Sequence, residues 1–220
     1  MILLFTPRVR SVSANKKDDL SVNIDIEKLK GRHVYLQKLV PAYKELIRPL
    51  AKDERIWEFT RRFTIDDTYD QQFDSYFDNA IDPNGRGIQQ TFVIHETASD
   101  KVIGMSRFYE YEKAEKRLAI GYTWYIPSVW GKVYNKECKL LMLQYAFEEI
   151  GVCRVEFTVV GQNIRSQKAV EKIGGIKEGV LRKHGFRPDG TPKDTVFFSI
   201  VDDEWPSVKQ RLKKMSYSDQ

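Results

Sequence analysis

The amino-acid sequence predicts one mixed α/β domain of the α+β kind, in which helices cover a single central sheet. Seven segments have the alternating or β-branched composition of strands, and five have helical periodicity. Predicted strands follow one another in runs, with helices at the start and between the later strands. This order favours a mixed sheet over a doubly wound parallel one. Residues 81–87 form the one loop rich in turn residues, so no linker divides the chain.

The predicted strands cover residues 33–39, 91–96, 102–109, 117–126, 153–160, 179–184 and 195–201. The predicted helices cover residues 42–51, 66–80, 136–150, 164–173 and a segment that starts near residue 204. The helix at 136–150 is the best defined, because Leu140, Leu143 and Ala146 recur on one apolar face. Asn135 is a suitable N-cap for it, and Gly151 stands where a helix-ending glycine belongs.

The predicted domain extends from Leu29 to Leu212, with residues 1–28 as a poorly ordered N-terminal extension and 213–220 as a C-terminal tail. The net charge of +5 comes from the two ends of the chain. Residues 1–20 hold four basic and two acidic side chains, and residues 206–220 hold four and one, which leaves the body neutral. A duplex-binding domain needs a basic face on its folded body, so no nucleic-acid partner is expected.

Two cysteines, Cys138 and Cys153, form no CxxC pair and have no histidine nearby. This pattern argues against a metal site and for a reducing compartment, and both residues are interpreted as core. No apolar run approaches the roughly 18 residues of a membrane span. We therefore expect a cytoplasmic protein with no membrane partner.

One connection has the features of an anion site. A strand ending near Ile126 leads through a loop containing Gly131 into the N-terminus of the helix predicted from Lys136. Unpaired backbone N–H groups and the helix dipole point at the same place there. One glycine is a weak signal, and an ordinary connection is as compatible with the pattern. The chain has no GxxxxGK[ST], GxGxxG, GxSxG or HExxH motif, which argues against the commoner nucleotide, hydrolase and metalloprotease functions.

Several blocks, taken together, resemble the GNAT N-acetyltransferase superfamily and its RimJ/RimL-like branch. The first block is Trp-Gly-Lys-Val-Tyr-Asn-Lys-Glu at 130–137 with Tyr-Ala-Phe-Glu at 145–148. The second comprises residues 154–157, 163–166, 171–174 and 178–182, and the ending at 194–200 with 204–205 also fits. The blocks occur in order and at compatible spacing over nearly all of the predicted domain.

The resemblance implies a mostly antiparallel sheet of about seven strands, splayed between the fourth strand and the fifth, with acetyl-CoA wedged in the gap. Its pyrophosphate would lie on the backbone after Ile126, along Gly131, Lys132, Val133, Tyr134, Asn135 and Lys136. Asn163 would bind the pantetheine arm, and Ser166 would lie near the thiol as the candidate catalytic residue. Without the resemblance, Asn163 is an N-cap and Ser166 an exposed first-turn serine.

The sequence departs from the family pattern at two places. The loop positions usually held by Gln or Arg, Gly, and Gly or Ala are here Ser128, Gly131 and Val133, and only one of them matches. Val133 disfavours a positive φ and would tilt the loop if one were needed. A carboxylate common on the fourth strand is replaced by Ala119, so the general base is unassigned.

These features predict an N-acetyltransferase that moves an acetyl group from acetyl-CoA to a primary amine on a small molecule, a polyamine or a protein N-terminus. No metal is required. The alternatives are a non-catalytic acyl-CoA-binding module of the same fold and an RNA-associated protein using its basic ends. A homodimer is left open.

The helix at 66–80 carries the remaining signal. Its acidic stripe consists of Asp66, Asp70, Asp74 and Asp78, and an apolar stripe adjoins it. Like charges at this spacing cost a few tenths of a kcal/mol per pair. The stripe is therefore interpreted either as an attraction for a cationic acceptor or as an ordinary solvated face.

Overall fold

Eight strands form one sheet in the computed structural model, which describes residues 24–60, 62–82, 89–187 and 189–217. The strands are β1 (Lys28–Lys30), β2 (Val34–Lys38), β3 (Gln90–Glu96), β4 (Val102–Glu112), β5 (Arg117–Tyr125), β6 (Arg154–Val160), β7 (Ile176–Phe186) and β8 (Pro192–Val201). Their order in the sheet is β1-β2-β3-β4-β5-β6-β8-β7. The predicted mixed sheet is confirmed, and β1 is a strand that sequence periodicity did not indicate.

The sheet consists of two antiparallel parts joined by one parallel pair. Strands β1 to β5 form an antiparallel series, and β6, β8 and β7 form a second one. Strands β5 and β6 run parallel where the two parts meet. The chain crosses from β5 to β6 through a helix, as a parallel connection requires.

The helices are α1 (Lys44–Leu50), α2 (Glu54–Trp57), α3 (Tyr69–Ile81), α4 (Tyr134–Gln144), α5 (Ile164–Ile173) and α6 (Trp205–Tyr217). Short 3₁₀ turns at Pro41–Tyr43 and Pro127–Val129 precede α1 and the loop before α4, and a π-helical segment, Tyr145–Ile150, continues α4. The predicted N-cap Asn135 is wrong, because Val133 already has helical angles and precedes the first residue of α4. The helix-ending role of Gly151 is confirmed by its φ of 74°.

Helices cover both faces of the sheet. One core packs α4, α5 and α6 on side chains such as Phe92 and Ile94, and the other packs α1 to α3 on Val93, Met105 and Trp124. Neighbouring residues of β3 thus point into different cores, as the two-residue repeat of a strand requires. No helix in the described part of the chain is both long and apolar enough to cross a membrane.

The ends of the predicted domain can be compared with the structure only in part. Residues 1–23 of the predicted extension and 218–220 of the predicted tail lie outside the described residues. Ile24 and Ile26 are buried in the core, and α6 continues to Tyr217. Of the two cysteines interpreted as core residues, Cys138 is buried, but the interpretation is wrong for Cys153, which is exposed just before β6.

The acidic stripe of α3 packs beside the basic residues of α1. Arg48 bonds Asp70 at 3.2 Å and Asp74 at 2.8 Å, and Lys44 bonds Asp74 at 3.0 Å and Asp78 at 3.1 Å. Hydrogen bonds from Arg48 and Lys44 lower the pKa of Asp74. Three of its four carboxylates, those of Asp70, Asp74 and Asp78, are therefore paired with basic side chains within the fold.

Glu137 joins the first hairpin to the centre of the molecule. Its buried carboxylate accepts hydrogen bonds from the backbone N–H groups of Arg32 at 2.6 Å, His33 at 2.7 Å and Val34 at 2.9 Å. A Cβ on Gly31 would lie 2.8 Å from this carboxylate, so a glycine is needed there. One side chain of α4 thus satisfies three donors of the β1–β2 turn.

We expect Glu137→Gln to lower the free energy of unfolding by about 2–3 kcal/mol, because the amide loses the charge and one of two acceptor oxygens. Chemical denaturation measures this value. Glu149→Gln, on the exposed face of the same helical stretch, is the matched control and should change it little. Equal stability of the two variants would contradict a joining role for Glu137.

Candidate active site

Strands β5 and β6 pair over only three positions and then separate. The pairs are Arg117 with Arg154, Leu118 with Val155 and Ala119 with Glu156. Beyond them Tyr122 has a φ of 51°, and the register of β4 against β5 shifts on the same stretch. A positive φ at a bulky residue is a strained conformation, and such residues are enriched at functional sites. The separation confirms the predicted splay between the fourth and fifth predicted strands.

A cavity of about 780 Å³ fills the gap between the separated strands. Its walls come from β5, β6, the loop before α4, α5 and the helical region around α2. Trp57, Tyr76 and Trp124 form an aromatic wall on one side, where the indole N–H of Trp124 donates to the Tyr76 hydroxyl at 3.1 Å. This size is typical of small-molecule sites.

The loop before α4 presents backbone donors to the cavity. Gly131 has a φ of 77°, which glycine adopts without strain. The N–H groups of Gly131, Val133, Tyr134 and Asn135 have no backbone acceptor in the part of the chain that the structure describes. Val133 has a φ of −68°, so the loop does not need the positive φ that its side chain disfavours. The loop can therefore hold an anion as the sequence predicts.

Every charged side chain that lines this cavity within the described residues is basic. The six are Arg62, Lys132, Lys139, Arg165, Arg187 and Lys193. The guanidinium of Arg165 lies 4.2 Å from the centre of the Trp130 ring, which orients it at the cavity wall. Such a lining attracts a ligand with several negative charges.

The predicted site residues divide into two groups. Those that line the cavity are Gly131, Lys132, Asn135, Asn163 and Ser166. Those that do not are Ile126, Val133, Tyr134 and Lys136. Tyr134 directs its hydroxyl away to Glu96, so only its backbone faces the loop. The roles assigned to all nine residues stay predictions.

Asn163 and Ser166 meet at the N-terminus of α5. The Asn163 Oδ1 accepts a hydrogen bond from the Ser166 N–H at 2.9 Å, which makes Asn163 the N-cap of this helix. Its amide Nδ2 and the Ser166 hydroxyl have no partner among the described residues. Capping and ligand binding are thus compatible in Asn163, because they use different atoms of the amide.

Lys139 is a site residue that the sequence reasoning missed. Its side chain is 5% exposed, lines the cavity and donates to the Thr123 hydroxyl at 2.7 Å and the Ser106 hydroxyl at 3.1 Å. No carboxylate pairs with it in the described part of the chain, and burial lowers its pKa. The sequence did indicate that Lys139 is buried, because it precedes Leu143 by four residues on the apolar face of the helix.

Ala119 stands where the family pattern has a carboxylate. Ala119 is buried at the last paired position of β5, opposite Glu156, and does not line the cavity. The carboxylate of Glu156 pairs instead with Arg154 at 2.7 Å and Arg117 at 3.6 Å. No acidic side chain among the described residues lines the main cavity as a general base.

Comparison with known proteins agrees with this geometry. A family model for the acetyltransferase (GNAT) domain matches residues 33–176. The uncharacterized N-acetyltransferase YoaA of Bacillus subtilis (strain 168) is 33% identical over 116 residues, which are 53% of this chain and 63% of that protein. The uncharacterized N-acetyltransferase p20 of Bacillus licheniformis is 28% identical over 127 residues, which are 58% of this chain and 69% of that protein.

Solved structures show the same likeness. The crystal structure of a GCN5-related N-acetyltransferase from Brucella melitensis superposes with a TM-score of 0.75 at 26% identity, over 84% of this chain and 83% of that one. The alignment with YoaA spans less than two thirds of that relative's length. The family model covers more than half of this chain, and the chain belongs to the GNAT acetyltransferase family.

We expect Gly131→Asp to weaken the binding of acetyl-CoA, the donor that this family generally uses, by about tenfold or more. A carboxylate would face the incoming phosphates at a helix N-terminus, where the dipole favours the phosphates themselves. Isothermal titration calorimetry measures the dissociation constant.

The control for this variant is Gly151→Asp at the other end of the same helical stretch. Gly151 has a φ of 74°, and a Cβ at either glycine meets nothing within 4 Å, so both variants carry the same backbone strain. Equal acetyl-CoA affinity in the two variants would remove the loop from the site.

Two substitutions separate the roles of Asn163. Asn163→Asp keeps the capping oxygen and so preserves the melting temperature, but it loses the amide donor and weakens acetyl-CoA binding. Asn163→Ala loses both and should also cost about 1 kcal/mol of stability. Calorimetry and thermal unfolding measure the two effects. If Asn163→Asp binds acetyl-CoA as the unmodified protein does, Asn163 is only a helix cap.

Proposed function

We propose that this protein is an acetyl-CoA-dependent N-acetyltransferase of the RimJ/RimL-like branch that acetylates a primary amine. The observation that carries the proposal is the cavity between β5 and β6, with its free backbone N–H groups and wholly basic set of charged side chains. Coenzyme A carries a pyrophosphate and a further phosphate, which match this charge. The groups lining the cavity that would hold them are the backbone N–H groups of Gly131 and Asn135 with the side chains of Lys132 and Arg165.

The transfer needs one bond to form and one to break. Acetyl-CoA supplies an activated acyl group, whose carbonyl carbon forms a bond with the amine nitrogen while its bond to sulfur breaks. The amine gives up a proton and the departing thiolate takes one. We assign to the backbone of β5 beyond Ala119 the polarisation of the carbonyl, because β5 no longer pairs with β6 there and these residues line the cavity.

Two groups that line the cavity can stabilise the departing thiolate. The Ser166 hydroxyl has no partner among the described residues and can donate to sulfur. Lys139 adds a positive charge behind Thr123 in a low-dielectric wall, where charge stabilisation is stronger than in water. Water takes the proton of the amine in this scheme, because the described lining of the main cavity includes no carboxylate.

The proposal is tested by mixing the protein with acetyl-CoA and a panel of primary amines and following the release of free thiol. Thiol release that depends on an amine, with an acetylated amine found by mass spectrometry, supports an N-acetyltransferase. Acetyl-CoA binding by calorimetry without thiol release for any amine would instead support the non-catalytic binding module. A cytoplasmic location, where such a donor and two free cysteines are both expected, is part of the proposal.

We expect Lys139→Met to lower turnover while raising the melting temperature. The substitution removes a buried charge, and the Ser106 and Thr123 hydroxyls still bond each other at 2.7 Å. The folded-state pKa of Lys139 lies below its ordinary value of 10.5, so the folded protein binds fewer protons than the unfolded chain between the two values. Stability of the unmodified protein should therefore rise with pH in that window, and Lys139→Met should lose this rise.

Thermal unfolding across pH and the thiol-release assay measure the two effects of Lys139→Met. Lys168→Met, exposed on α5 and outside the cavity lining, is the control and should change neither. Full turnover in Lys139→Met would contradict a role in the reaction.

A further inference from the structure

A second, smaller cavity of about 110 Å³ adjoins the main one. The two share Arg62, Tyr76 and Tyr122 in their walls. The smaller cavity takes its other walls from α3, β4 and Gln89, and none from the loop at 127–133 or from α5. It is therefore distinct from the part of the site that would hold phosphates, and it lies where the aromatic wall of the main cavity ends.

Arg107 is the main polar group of this smaller cavity. Its side chain is 4% exposed, and its guanidinium lies 4.2 Å from the centre of the Tyr122 ring. Nη1 donates to the Gln89 Oε1 at 3.1 Å, whereas the buried Nε has no partner among the described residues. Nη2 also has no acceptor in the described part of the chain, but it is not fully enclosed.

A buried guanidinium without a carboxylate is costly, because its charge is taken out of water without compensation. Other arginines of this protein offset this cost in the usual way, by pairing with carboxylates. Arg48 pairs with Glu45 and Asp74 at 2.9 and 2.8 Å, and Arg154 pairs with Glu156 and Glu178. Arg107, although more buried than either, has no ion pair with any described residue.

Arg62 strengthens the same local charge. It is exposed, lines both cavities, and its guanidinium lies 5.5 Å from the centre of the Tyr76 ring. Glu110 also lines the smaller cavity, as its one acidic side chain among the described residues, and it forms no ion pair with Arg62 or Arg107. Two cations and one carboxylate thus line this small space, so its walls carry a net positive charge.

We propose that the smaller cavity is an anion subsite for the acceptor, so that the preferred substrate is a primary amine that also carries a carboxylate. Arg107 would bind the carboxylate through its Nε and Nη2 N–H groups. Arg62 would contact the carboxylate from the solvent side. This inference rests on the proposed N-acetyltransferase function and specifies its substrate class. It differs from the cationic acceptor, which was one of two interpretations of the acidic stripe. Three carboxylates of that stripe, those of Asp70, Asp74 and Asp78, pair with α1, and none of the four lines either cavity.

The test compares matched acceptors in the thiol-release assay. Glycine, β-alanine, γ-aminobutyrate and 5-aminovalerate place the carboxylate at increasing distance from the amine, and phenylalanine adds an aromatic ring. Each is compared with the amine of the same skeleton that lacks the carboxylate. We expect at least one acid to have a KM about tenfold or more below that of its partner. If every amine without a carboxylate has a KM equal to or below that of its matching acid, the subsite is overturned.

Variants locate the preference in the smaller cavity. Arg62→Gln and Arg107→Met should each raise the KM for the preferred acid about tenfold or more relative to the KM for its carboxylate-free partner in the same variant. Arg107→Lys should restore part of the preference. Arg182→Gln, exposed on β7 and outside both cavities, is the control. A preference that survives both Arg62→Gln and Arg107→Met would overturn the assignment.

A binding measurement separates this inference from the proposed function and does not depend on turnover. The N-acetylated form of each acid is titrated into the protein by calorimetry, with the matching N-acetyl amine as the comparison. If an N-acetylated acid binds the unmodified protein but not Arg62→Gln, the subsite is supported even if no thiol is released. Absence of binding by any acid, together with amine-dependent thiol release, would overturn the subsite and leave the acetyltransferase proposal intact.

Discussion

The loss of pairing between β5 and β6 is the constraint on which the rest of the site depends. A parallel pair that continued past Ala119 would use the backbone groups of both strands and leave no space between them. Because the strands separate, the backbone polar groups beyond that point need other partners. The cavity, the loop donors and the N-terminus of α5 all surround this unpaired stretch. The positive φ of Tyr122 is the local strain that accompanies the separation.

Charge is distributed unevenly around this opening. The buried Glu137 carboxylate, away from this opening, has three backbone donors as partners. Lys139 and Arg107 are also buried, but no carboxylate among the described residues pairs with either of them. Lys139 lines the main cavity, and Arg107 lines the smaller cavity that adjoins it. Groups that cost folding energy and sit at a cavity are those expected to interact with a ligand or a developing charge.

The elements that the sequence predicted are those with local causes. Helix α5 was predicted with its observed bounds, because Asn163 starts it and Gly174 follows it. The start of α4 was predicted two residues late, because helical angles at Val133 follow from the turn at Gly131 and not from any capping side chain. The loop that contains Gly131 was also predicted from a local feature, because a glycine before a helix can be recognised in the sequence.

The residues that the sequence did not reveal depend on contacts between distant segments. Arg107 reads as one polar residue in a strand, and only the fold shows that it packs on Tyr122 beside Arg62. The pairing of the α3 carboxylates with Lys44 and Arg48 is likewise invisible until α1 is packed against α3. From the sequence, the acidic stripe could either attract a cationic acceptor or be an ordinary solvated face, whereas the structure directs attention to two arginines on another wall.

Amide hydrogen exchange with and without acetyl-CoA tests the central claim most directly, because it reports which backbone N–H groups the ligand covers. The account predicts slower exchange on addition of acetyl-CoA in the loop and first turn at 131–136 and in the separated part of β5 at 120–125, with little change in β1 to β3. Unchanged exchange in these two segments, or protection confined to other parts of the chain, would show that the opening between β5 and β6 is not the donor site.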